Sequence, residues 1–107
     1  MTTFDDREKG FETKFVLDQE QEFKAIARRN KLLGLWAAEK MGLNAASAEE
    51  YGAAIVRADF EQPGDEDVYR KIMQDLQGSG ISVSEGEIRR KMDELASITR
   101  DQIRSGD

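Results

Sequence analysis

The clearest helix-start signals are three spacings that set an Asp or Ser three residues ahead of a Gln or Glu: Asp18-Gln-Glu-Gln21, Ser47-Ala-Glu-Glu50 and Ser84-Glu-Gly-Glu87. The leading side chain can accept from an orphan N–H in a helix's first turn, and the trailing one can answer the cap's own N–H. A fourth start is marked by Pro63-Gly64-Asp65-Glu66-Asp67, where the proline ends one helix and the acids suit the positive end of the next. These spacings predict helices over roughly 19–41, 48–62, 65–77 and 85–104.

Apolar periodicity agrees with them. Phe23, Ile26, Ala27, Leu33, Ala37 and Met41 keep mainly to one helical face, and Gly42 stops the run. Tyr51, Ala54, Ile55 and Ala58 form a second stripe, and Val68, Ile72, Met73 and Leu76 a third, closed by Gly78 and Gly80. Ile88, Met92, Leu95, Ile98 or Thr99, and Ile103 form a long fourth. Apart from the brief Ile81-Ser82-Val83 link, nothing alternates with period two. Short connections make neighbouring helices antiparallel, so the fold class is all-α: a four-helix bundle over 19–107, preceded by a flexible N-terminal arm, 1–18. Leu32, Leu33, Leu35 and Trp36 spread over several faces of the first helix. That makes it the central one, with Trp36 as a core anchor and Gly34 admitting a close neighbour.

Composition removes most chemistry. Among 107 residues there is no cysteine and no histidine, which excludes thiol nucleophiles, thiolate metal sites and the commonest general base. An enzyme is not expected. The net charge of −6 is concentrated: residues 49–67 hold Glu49, Glu50, Asp59, Glu61, Asp65, Glu66 and Asp67 against Arg57 alone. That block repels nucleic acid. No window is apolar enough to span a membrane, and the start MTTF carries neither a secretory core nor a myristoylation glycine. A cytoplasmic chain without direct membrane insertion is expected.

The arm carries FDDREKGFETKF, Phe4 to Phe15. Phe4, Phe11 and Phe15 stand at i, i+7 and i+11, within roughly 20° of one line on a helix. Both signs of charge surround that edge, and Gly10 costs roughly 1 kcal/mol of helix stability relative to alanine. The residues leave two destinations open for the edge: the domain's own thin core, or a groove on a partner that orders the arm as a helix. Two cation clusters also stand out, Arg28, Arg29 and Lys31 early, Arg89 and Arg90 late. Either is an ordinary solvated face or, if the two meet, an anion site suited to phosphate. Gly78-Ser79-Gly80 is followed by no Gly-Lys-Ser/Thr, so it marks a helix stop rather than a phosphate loop.

FDDREKGFETKF, FKAIARRNKLLGLWAAEKMGL, ADFEQPGDEDVYRKIMQDL and EIRRKMDEL together resemble the zeta-subunit ATPase inhibitors of alpha-proteobacterial F-type ATP synthases. The resemblance runs through nearly the whole chain, and is most specific at Phe4–Glu8 and Arg28–Trp36. It implies a non-catalytic regulatory subunit, peripheral to the inner membrane through the F1 head. Its inhibitory segment would enter that head at an alpha/beta interface beside the gamma stalk and block rotation in the hydrolytic direction. The positions matching that segment are Phe4, Asp5, Asp6, Arg7, Phe11, Lys14 and Phe15. It further implies ADP or ATP as a ligand of the bundle, with no cofactor required. The cations to meet its phosphates, Arg28, Arg29, Lys31, Arg89 and Arg90, are named on charge alone. Gly10 departs from the alanine common in the family and weighs against a helix formed before binding. Two other classes remain: a stand-alone nucleotide-sensing or scaffold module, and a small chorismate-mutase-like enzyme, to which EIRRKMDELASITRDQIR is faintly similar.

Overall fold

The computed structural model describes residues 17–106, which form four helices and no strand. They are α1 (Gln19–Lys40), α2 (Ala45–Glu61), α3 (Asp65–Gly78) and α4 (Glu85–Arg104). The all-α bundle is the observed fold.

Local chemistry explains where each helix begins. Asp18 accepts from the Gln21 N–H at 2.8 Å, and Gln21 Oε1 accepts from the Asp18 N–H at 3.1 Å, a complete capping box. Ser84 caps α4 by accepting from the Glu87 N–H at 3.1 Å. The second helix differs from the expectation. It starts at Ala45, and its cap is Asn44, which accepts from the Ser47 N–H at 2.8 Å. Asn caps as well as Ser does, and an upstream cap places Ser47 inside the first turn, where it serves as donor. Gly64 precedes α3 without a side-chain cap, and Asp65, Glu66 and Asp67 fill the first turn.

Gly42 ends α1 at φ 77°, a conformation that side chains resist. Its N–H reaches Glu39 O and the next, from Leu43, reaches Ala38 O, each at 3.0 Å, satisfying two orphan carbonyls. α3 closes in the same way at Gly80.

α1 packs against all three other helices, whereas α2 and α4 do not touch. The central core joins Leu33 and Ala37 of α1, Ile55 of α2, Val68, Ile72 and Leu76 of α3, and Ile88 and Met92 of α4. The α1–α2 crossing is set by two glycines. A Cβ on Gly34 would stand 2.7 Å from the Gly52 Cα, so any side chain would push the helices apart. Over Gly52 lies the stem of Lys31, whose ammonium pairs with Glu49 at 3.0 Å.

Two expectations about α1 need correction. Trp36 lies at the edge of the core, only partly buried, with the ammoniums of Lys40 and Lys91 5.2 and 5.9 Å from the ring centre. Phe23 and Ile26 share the face of Leu33 but are exposed. The four-helix core is centred on the second half of α1, so the apolar stripe continues beyond it.

Candidate functional site

The residues matched to an inhibitory segment, Phe4, Asp5, Asp6, Arg7, Phe11, Lys14 and Phe15, lie outside the described residues. The positions assigned to an anion site are all described. Arg29 is 5% exposed, unusual for an arginine, and is held by neighbouring side chains. Its Nε and Nη2 donate to Asn30 Oδ1 at 3.1 and 2.7 Å, and Nη2 pairs with Asp65 at 3.0 Å. Asn30, itself 1% exposed, donates to Asp59 Oδ2 at 3.0 Å, and Asp59 Oδ1 accepts from the Gly64 N–H at 3.2 Å. The chain Asp65–Arg29–Asn30–Asp59–Gly64 thus fastens α1 to the turn between α2 and α3.

On the other side of α3, Arg89 donates to both carboxylate oxygens of Glu66, at 3.2 and 3.1 Å, and to Glu85 at 3.2 Å. Its guanidinium lies 4.0 Å from the Tyr69 ring centre. The Glu66 hydrogen bonds hold its pKa above the ordinary arginine value. Both clusters therefore send an arginine to the acidic first turn of α3, where carboxylates meet them. Lys31 is held by Glu49, Arg28 donates to Gln102 at 3.0 Å, and Arg90 is exposed. Arg29 and Arg89 converge, but on protein carboxylates.

A second feature lies near the start of α1. Phe23, Ile26, Ala27 and Asn30 face Val56, Asp59 and Phe60 of α2, with Pro63 closing a cleft of about 190 Å³. Its lining is mainly apolar. Sequence periodicity placed Phe23 and Ile26 on a core face, and Phe60 had no assigned role. The signal that could have singled them out is the continuation of the α1 stripe past the helices able to cover it.

The family model for ATPase inhibitor subunit zeta matches residues 1–102, almost the whole chain. The chain belongs to the ATPase inhibitor subunit zeta family. A solution NMR structure is 47% identical, with a TM-score of 0.66 over 76% of this chain and 92% of that one. No curated protein matches. The zeta-family match spans the arm as well as the first three helices and nearly all of α4. Among the described residues no helix is long and apolar enough to cross a membrane.

Proposed function

We propose that this chain inhibits ATP hydrolysis by an F-type ATP synthase, and that the arm ahead of α1 is the inhibiting element. The observation that carries this reading is the zeta-family match beginning at residue 1, so that it includes the Phe4–Phe11–Phe15 edge. The edge enters the F1 head between alpha and beta subunits, beside the gamma stalk, and obstructs rotation. The bundle stays outside as a brace.

Magnitudes say what docking requires. Each phenylalanine contributes about 1.5–3 kcal/mol if fully desolvated. Ordering each arm residue costs roughly 1–2 kcal/mol, which summed from Phe4 to Phe15 exceeds the gain from the rings. Net affinity therefore requires Arg7 and Lys14 to meet acidic groups on the head, with Asp5 and Asp6 meeting basic ones. Binding of ADP or ATP to the bundle belongs to the same reading, with Arg28, Arg29, Lys31, Arg89 and Arg90 as the cations to meet its phosphates once the carboxylates that hold Arg29, Lys31 and Arg89 give way. The test is capture of purified F1 head by immobilised full chain and by a chain lacking residues 1–16, which keeps the Asp18 cap. The full chain retains the head and the shortened one does not. Equal retention by both contradicts the assignment of the arm.

A further inference from the structure

Phe23 and Phe60 pack together with ring centres 5.2 Å apart and planes tilted by 46°, yet they remain 51% and 58% exposed. Phe23, Ile26 and Phe60 are three of the five large apolar side chains most open to solvent among the described residues. All three line the cleft between the start of α1 and the end of α2. Apolar residues scattered singly on a surface are ordinary, but several gathered in one cleft mark a contact surface.

Tether, length and charge identify the occupant. The arm joins the described chain at Leu17, only six residues before Phe23. A segment tethered this closely meets the cleft at an effective concentration in the ~mM range, without a second molecule. Along α1 the cleft runs from Phe23 to Asn30, about 10 Å at the helical rise. Phe11 and Phe15, one helical turn apart, span about 6 Å and fit, whereas the whole Phe4–Phe15 edge spans roughly 16 Å and overruns it. A second copy is disfavoured, since each chain carries a net charge of −6.

We propose that the Phe23–Phe60 cleft is a parking site for the chain's own arm, taking Phe11 and Phe15 when no other partner holds them. Only its consequence rests on the inhibitory reading: the cleft and the ATPase compete for the same two rings.

The absence of cysteine lets Glu12→Cys carry a nitroxide at one defined place in the full chain. Paramagnetic broadening then reports which methyl groups the arm approaches. Ile26, Ala27 and Val56 broaden severalfold more than Ile81 and Val83 at the far α3–α4 link. Phe60→Ser, at a side chain more than half exposed, abolishes the difference without changing the melting temperature. So does the double change Phe11→Ala and Phe15→Ala, which leaves every cleft residue in place. Broadening that survives these changes, or that stays confined to residues 17–22, overturns the proposal. So does broadening carried from a nitroxide-bearing chain to an isotope-labelled one without it, which assigns the cleft to a second copy. None of these readouts involves the ATPase, so a failure of inhibition and a failure of parking are distinguishable.

Discussion

The Tyr51 hydroxyl donates to Asp75 Oδ2 at 2.6 Å, and the Lys71 ammonium reaches the same oxygen at 3.0 Å, tying α2 to α3. Burial, and next the Asp75 hydrogen bond, raise the Tyr51 pKa well above its ordinary value of 10.0. A pKa raised by folding means stability that is complete below the unfolded value and lost as pH climbs past it. Thermal melts are therefore level up to about pH 10 and fall beyond it. Tyr51→Phe costs about 1–2 kcal/mol at neutral pH and flattens the alkaline fall. A second residue-scale prediction concerns glycine. Gly34→Ala drives a methyl into the Gly52 backbone and costs about 1–3 kcal/mol in denaturant titration. Gly78→Ala, whose methyl meets nothing within 4 Å, is neutral or stabilising by up to about 1 kcal/mol.

Helix ends show what a sequence can declare by itself and where it falls short. The Asp18 box, the Ser84 cap and the Gly42 stop each depend on atoms within five residues, and all three were legible. Asn44 and Ser47 are equally local, but two adequate caps three residues apart compete, and the structure takes the first. Asn44→Ala thus lowers stability by about 1 kcal/mol, with Ser47→Ala well below that, measured by chemical denaturation. The burial of Arg29 was not legible, because it depends on Asp65 arriving from 36 positions away. Likewise, periodicity put Phe23 and Ile26 on one face without saying whether another helix covers it. The first turn of α3 bears on the proposed nucleotide also. Asp65 and Glu66 already hold Arg29 and Arg89, so phosphate must displace them. Replacing both acids by their amides should tighten ADP or ATP binding in calorimetry. Weaker binding would place the nucleotide away from these arginines.

For the molecule as a whole, the proposed function divides the work between bundle and arm. The bundle is held by a short list of apolar contacts around the second half of α1, with charged side chains outside them. The zeta-family match extends across both parts, and the aromatic edge was visible in the sequence because three rings keep helical phase amid charges. Its target could not be visible there, since under the proposed function the groove belongs to another protein. A hydrolysis titration of the matching F1-ATPase therefore tests the proposed role of the arm most directly. The full chain and a variant with Phe4, Phe11 and Phe15 all changed to Ala are compared at equal melting temperature. The full chain suppresses ATP hydrolysis in a saturable manner, and the variant needs at least about a thousandfold higher concentration, the loss expected from three buried rings. Equal inhibition by the two at the same concentration would contradict the account.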